Sequence, residues 1–266
     1  MEHLTISKSA NSNKEKLTSE EKIFLTSRDL EIISYVCDMK FASIEDLHFK
    51  FFKTLKNGNT SNSLWWARER LSALEKDGFI ERKYAFDERI SYYLGTLKGF
   101  KVLQQRCPET FPSRPVDKIN HNTFNHDKMV IEVRNKLEAM GQVKTWYSDR
   151  KLFMNSDLNT FVDKWNQPDG IYIKSNGERI AVEIEISKKD TSHYRDKIKT
   201  YVNICRAVDN PKSFKKVLYV TGSEPTHRLI LAETKIYSQY FTIVTIEDFR
   251  KDYLEFSEVK DETVAM

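Results

Sequence analysis

Pro168-Asp169-Gly170, then Ile171-Tyr172-Ile173-Lys174, the turn Ser175-Asn176-Gly177-Glu178, and Arg179-Ile180-Ala181-Val182-Glu183-Ile184-Glu185-Ile186 together decide how this chain is read. Asn-Gly between two apolar runs is the strongest short-range hairpin signal, because it supplies the positive φ that tight hairpins demand. Alternation along a strand sets Glu183 and Glu185 on one face and Val182, Ile184 and Ile186 on the other. The aliphatic face is expected to pack on a helix, leaving the acids on an open side. Folding the hairpin returns Asp169 near Glu183 or Glu185. Three carboxylates gathered this closely repel one another, and a hard divalent cation, Mg²⁺ or Mn²⁺, removes the repulsion. The competing reading is an acid-hydrophobe-acid strand on a solvated sheet face, with Asp169 only opening a turn after Pro168.

The same order of features resembles the PD-(D/E)XK nuclease superfamily, in which an Asp and an acid-x-Lys pair on adjacent strands hold metal at a scissile phosphate. Glu185 stands where the lysine is usual, and some restriction enzymes of that fold also carry Glu-x-Glu.

The surrounding sequence extends this unit. Met129, Val133, Leu137 and Met140 predict an amphipathic helix over 121–140, with His126 and Asp127 in its first turn and Glu132 further along. A strand over 143–147 precedes the hairpin. A helix over 191–208 follows it, then strands over 217–220 and 241–246, an order matching a nuclease-like core. On the helix after the acids, Lys197 and Tyr201 lie four apart and share a face. Lys197 is read either as a substitute for the strand lysine near phosphate or as a solvated side chain beside a core Tyr201.

Towards the N-terminus, Thr26 caps a helix over 27–39 and Ser43 caps a short one carrying Ile44, Leu47 and Phe51 inward. A third helix runs over 62–77, with Leu64, Ala67, Leu71 and Leu74 as its core stripe. Two strand-like runs follow, 79–84 and 90–94, then a helix over 95–105. Three helices plus a hairpin resemble a winged helix, in which the third helix enters the major groove and the wing runs beside the backbone. Asn62, Ser63, Trp66 and Arg70 are therefore the candidate base readers. Arg82, Lys83 and Arg89 on the wing, with Lys14 and Lys16, are candidate phosphate contacts that set affinity and salt dependence. An exposed Trp66 packing on a neighbouring domain or subunit is the alternative.

The fold class expected is α+β: a winged helix-turn-helix domain over 26–106, followed by an α/β restriction-endonuclease-like domain over 119–250. A flexible segment (1–25), a proline-containing linker (107–118) and an acidic tail (251–266) complete the division. With 266 residues and 39% hydrophobic content, the chain can bury sizeable cores. Its net charge of +4 and pI near 8.7 permit an anionic partner without demanding one. No run approaches the ~18 apolar residues of a membrane span, and the opening Met1-Glu2-His3-Leu4-Thr5 lacks a signal-peptide core, so a cytoplasmic protein without a membrane partner is expected. Cys37, Cys107 and Cys205 are odd in number and far apart, which fits reduced thiols rather than zinc or disulfides.

Taken together, the winged helix, His126-Asp127, Pro168-Asp169-Gly170, Glu183-x-Glu185 and Lys197-x-x-x-Tyr201 resemble the replication-relaxation family of mobile genetic elements, which is similar to MobC-type relaxases. The resemblance covers roughly residues 26–201, and the family more often has Asp at the position of Glu185. It implies a DNA-binding protein of a plasmid or integrative element, with metal-dependent nicking or endonuclease activity on double-stranded DNA. It further implies that Asp169, Glu185 and the Ile184 carbonyl hold Mg²⁺ with Glu183 completing the shell. Lys197 would then offset charge at phosphorus, while Glu132 or Asp127 hold a second ion or orient water, and His126 is a weaker candidate general acid. The family also contains proteins that only bind DNA. The alternative is therefore a catalytically inactive regulator or accessory replication or mobilisation protein, using the second domain to dimerise or to dock partners. A restriction-type defence nuclease is a third reading.

Overall fold

Thr26 starts the first helix by a reciprocal cap: its hydroxyl accepts the Asp29 N–H while the Asp29 carboxylate accepts the Thr26 N–H. In the computed structural model, which describes residues 23–54, 60–86, 90–155, 166–207 and 209–256, this helix is α1 (Ser27–Asp38). Ser43 and Asp46 repeat the device at α2 (Ile44–Phe51), directly after the two-residue strand β1 (Ala42–Ser43). Then come α3 (Trp65–Lys76), β2 (Ile80–Tyr84), β3 (Ser91–Gly95) and α4 (Leu97–Arg106). The three strands form an antiparallel sheet in the order β1-β3-β2.

The second half holds α5 (Phe124–Ala139), β4 (Thr145–Ser148), α6 (Asp149–Met154), β5 (Gly170–Ile173), β6 (Arg179–Glu185), α7 (Thr191–Arg206), β7 (Lys216–Thr221), α8 (Glu224–Thr234), β8 (Phe241–Thr245) and α9 (Ile246–Phe256). Its five strands lie in chain order; β4-β5-β6 is an antiparallel meander, and β7 and β8 run parallel to β6. Helical crossovers α7 and α8 make those parallel pairings possible. Gly177, at φ 87°, turns the β5–β6 hairpin where Asn-Gly predicted. The protein is thus a mixed α+β fold with two sheets.

The two halves do not keep separate cores. One apolar cluster runs from Leu25, Ile33 and Leu47 through Val130, Val133 and Leu137 of α5 to Val182, Ile184 and Val220 of the large sheet. At the junction, the buried Tyr35 hydroxyl donates to Asn135 at 2.6 Å. A second cluster lies on the opposite face of the sheet, where Ile171, Ala181, Val217 and Tyr219 meet Tyr194, Ile198, Tyr201 and Val202 of α7.

Several expected boundaries move. Residues 23–25 are anchored rather than part of a loose segment, because Leu25 is buried and the Ile23 N–H donates to Asp77 at 2.9 Å. The stretch 107–118, expected as a linker, contains a 3₁₀ turn (Pro108–Thr110) and a buried Ser113, and its Arg114 carbonyl accepts from Arg150. Helix α9 continues past residue 250 into the expected tail. Helix α3 begins at Trp65, which leaves Asn62 and Ser63 on the approach to it. Lys14, Lys16 and Arg89 lie outside the described residues.

Candidate functional site

The β5–β6 register pairs Gly170 with Val182, and continuing it by one residue sets Asp169 opposite Glu183. One Asp169 oxygen accepts the Ile184 N–H at 2.8 Å, which ties the carboxylate to the neighbouring strand. Gly170 is required beside it: a Cβ there would stand 2.4 Å from the Trp146 ring. Glu183 and Glu185 do share a face, as alternation predicts. That face is not open. Helix α7 lies across it, and Glu183 and Glu185 are only 1% and 2% exposed.

Burial of this kind needs partners, and each acid has one from the chain itself. Lys197 donates to Glu183 at 2.7 Å and the Tyr201 hydroxyl donates to its other oxygen. The four-residue spacing thus delivers both α7 groups to one carboxylate, and Lys197, 8% exposed, is not solvated. Lys189 reaches Glu185 at 3.0 Å. Burial pushes the Glu183 pKa up to about 7 despite the opposing pull of Lys197, with the Asp169 charge adding to the rise. Burial alone would lower Lys197, but Glu183 and Asp169 override it and hold its pKa above the usual lysine range.

Asp169 continues the charged array toward α5. His126 Nε2 stands 3.2 Å from its carboxylate, and His126 Nδ1 lies 3.5 Å from Asp127. Asp127 in turn meets Lys40, which follows α1, at 2.7 Å, and Lys40 also meets Asp149 at 3.2 Å. Burial opposes the charge on His126, yet the Asp169 charge and the hydrogen bonds to Asp127 and Asp169 push its pKa up to about 10. Burial would raise Asp169, but the His126 charge, Lys197 and the Ile184 N–H take it down to about 2.

His126, raised above 6.5, contributes stability that is complete below pH 6.5 and is lost as pH climbs through 10; Asp169, lowered, contributes stability that is lost as pH falls from 3.8 through 2. His126 is therefore expected to remain an imidazolium at pH 8 in the folded protein. A ring-carbon NMR titration checks this, and a midpoint near 6.5 contradicts the His126–Asp169 pairing.

The donor set suits a hard cation in kind, since Asp169, Glu183 and Glu185 offer oxygens on one sheet face. Among the described residues no three acid, histidine or cysteine groups converge to hold a metal, and Lys197, Lys189, His126 and Lys40 stand among the acids. Glu132 is not brought to the cluster; Arg250 of α9 takes both its oxygens at 2.6 and 2.8 Å. Lys40 and Asp149 are members that the sequence reading missed. Asp149, just after a predicted strand, carried a weak positional signal, whereas Lys40 carried none.

On the N-terminal half, Asn62, Ser63 and Trp66 are exposed, together with Trp65 and Arg68. Arg70 is committed elsewhere. Its Nε donates to Asp29 at 2.7 Å and a second nitrogen to the other Asp29 oxygen, holding a carboxylate that is 1% exposed. It therefore braces α3 against the start of α1 instead of reaching outward. Arg70→Ala is expected to cost about 2–3 kcal/mol by leaving Asp29 short of its charge partner; urea unfolding measures it, and a change under 0.5 kcal/mol would show that the brace is idle. Arg82 pairs with Glu75 at 3.1 Å and Lys83 with Glu81 at 2.9 Å, at exposed or half-buried surface positions where such pairs contribute little and can exchange for other anions.

No helix among the described residues is long and apolar enough to cross a membrane. Compared with known proteins, the chain matches no family model, no curated relative and no solved structure.

Proposed function

We propose that this protein binds double-stranded DNA of a plasmid or integrative element and nicks it at a divalent-metal-dependent site centred on Asp169 and Glu183. The observation that carries the reading is the cross-strand placement of these two acids with the Lys197 ammonium 2.7 Å from Glu183. The order α5, β4-β5-β6 meander, α7, parallel β7 supports a PD-(D/E)XK-like core, and the earlier helices with their β2–β3 hairpin support a winged helix. Both belong to the replication-relaxation resemblance.

Asp169 and Glu183 would hold Mg²⁺ or Mn²⁺ only on displacement of the Lys197 and His126 cations that pair with them, and the ion would then supply polarisation of the phosphate and a lowered pKa for attacking water. The chain's own groups do the rest. Lys197 brings positive charge to the acids from α7, doing from a helix what a strand lysine does elsewhere, and it offsets charge that builds on phosphate oxygens. His126 keeps a proton on the ring beside Asp169 at neutral pH. Asn62, Ser63 and Trp66 face outward at the start of α3 to read bases, and Lys83 and Arg82 on β2 meet phosphates.

A second reading has its own observation. Every acid of the cluster already has an intramolecular cation, a state that a non-cutting DNA-binding regulator or accessory mobilisation protein, dimeric or docked to a replication partner, keeps permanently. Purified protein incubated with supercoiled element DNA and Mn²⁺ separates the two. Open-circular product that EDTA abolishes supports nicking, while retained DNA binding with no nicking across candidate origins supports the regulator.

A further inference from the structure

We propose that the end of the large sheet at the β5–β6 turn is a second DNA contact, a groove at which Lys144, Lys174 and Lys216 hold the phosphodiester backbone of duplex flanking the acidic site. The inference extends the DNA-binding part of the proposed function and rests on that part, not on nicking.

The strand registers bring together three lysines that lie far apart in the chain. β4 pairs Thr145 with Ile173, the Lys144 N–H donates to the Ile173 carbonyl at 2.8 Å, and one further step sets Lys144 opposite Lys174. Lys216 opens β7 level with Ile180 of β6. Neighbouring strands lie about 4.8 Å apart, so the row from β4 to β7 covers roughly 14 Å. Each strand of B-DNA carries one phosphate per about 3.4 Å of axis, and the row therefore faces about four of them. Like charges directly opposite on neighbouring strands repel, a cost that the free protein bears and a polyanion removes. Glu178, 3.0 Å from Lys174, relieves that lysine alone. Lys144 and Lys216 are exposed, and among the described residues neither has an ion-pair partner.

A groove marks the same place. It holds about 700 Å³ and runs between the turn after α5, the β5–β6 turn and the 3₁₀ turn Lys235–Tyr240. That size takes an extended ligand rather than a lone ion. Lys174 and Lys216 line it with Gln142, Asn176 and Gln239, and among the described residues no carboxylate does. Lysine, asparagine and glutamine side chains are common donors to phosphate oxygens on DNA-binding surfaces. The Asn176 carbonyl oxygen accepts the Glu178 N–H at 3.0 Å, which leaves the Asn176 NH₂ as a donor.

Placement separates this contact from the acids. Tyr172, Ile180 and Leu218 at the groove belong to the core shared with α5 and the N-terminal half, whereas Glu183 alternates to the face covered by α7. Glu183 also lies three residues along β6 from Ile180, about 10 Å. The phosphates held by the lysines are therefore not those at Asp169 and Glu183 but belong to a flanking stretch of duplex.

Fluorescence anisotropy of a labelled duplex of about 30 base pairs, titrated with the full-length protein between about 50 and 200 mM KCl, tests the proposal. The triple variant Lys144→Gln, Lys174→Gln, Lys216→Gln is expected to bind at least about tenfold more weakly and to flatten the log–log salt slope by about 2–3, since each phosphate contact contributes about 0.9. The matching triple Lys→Arg variant is expected to keep the wild-type slope. Lys101→Gln, Lys118→Gln and Lys199→Gln together make the same change in net charge at exposed positions elsewhere, and are expected to move the slope by less than about 1. An unchanged slope in the first triple, or an equal change in the control triple, overturns the proposal while duplex binding stands. A wild-type chain that binds no duplex overturns it together with the DNA-binding reading. Should the first triple fail to fold, mass spectrometry of the wild-type chain carries the test. Duplex DNA is expected to slow acetylation of Lys144 and Lys216 by acetic anhydride relative to Lys199, and an unchanged ratio overturns the proposal. Nicking of supercoiled DNA enters none of these readouts and fails separately.

Discussion

Glu183→Ala is expected to lower the unfolding free energy by about 3 kcal/mol at pH 8, with little change in the urea dependence. The loss does not come from the pair being strongly attractive. Taking two charges out of water costs several kcal/mol each, and their mutual attraction roughly repays it. The cost comes from what is left behind: the Lys197 ammonium and the Tyr201 hydroxyl, both buried on the sheet-facing side of α7, lose the Glu183 oxygens. Without Glu183, burial is the dominant influence on Lys197, and its pKa is expected to fall. The double variant Glu183→Leu with Lys197→Met removes the charge and its partner together and is expected to recover more than half of the lost stability. Equal losses in the single and double variants would show that the pair is not a coupled unit.

The parts of this molecule that were legible in its sequence are those specified within a few residues. Thr26 with Asp29 and Ser43 with Asp46 announce helix starts because the capping partners lie three positions apart. Asn176-Gly177 announces the hairpin, and the hairpin register alone brings Asp169 opposite Glu183. Helix α8 was missed although Pro225 stands in its first turn, a signal obscured by a weak apolar stripe. What alternation could not say is which sheet face is covered. It placed Glu183 and Glu185 together, but their burial depends on α7 folding back over β6, a tertiary event with no local mark. Arg70 shows the same limit: helical periodicity points it outward, and a carboxylate 41 residues away captures it. The Lys40–Asp127 contact spans 87 residues and joins the two halves, so no spacing rule reaches it.

This sharing of core and charge between the halves bears on how the protein acts. Two domains on a free linker would let DNA binding and strand cleavage proceed independently. Here Tyr35–Asn135, Lys40–Asp127 and Lys151–Asp38 fasten α1 to α5 and α6 through buried or partly buried contacts. These contacts tie the end of α1 to the acids, so no free linker separates the proposed reader from the proposed site.

Asp169→Asn tests that site most directly, and Mn²⁺-dependent nicking is expected to fall by about 10²–10³-fold. Asparagine has the same shape and keeps a carbonyl oxygen for the Ile184 N–H, so the β5–β6 pairing survives and the stability loss is expected to stay under about 2 kcal/mol. What disappears is the negative charge. His126 loses the influence that most strongly opposes its burial, and its pKa is expected to drop from about 10 toward or below 6.5. The two readouts divide the possible failures. A lowered His126 pKa with undiminished nicking would show that the acid is placed as described and that cleavage happens elsewhere. An unchanged His126 pKa would show instead that Asp169 does not face the imidazole, and the His126–Asp169 pairing would fall with it.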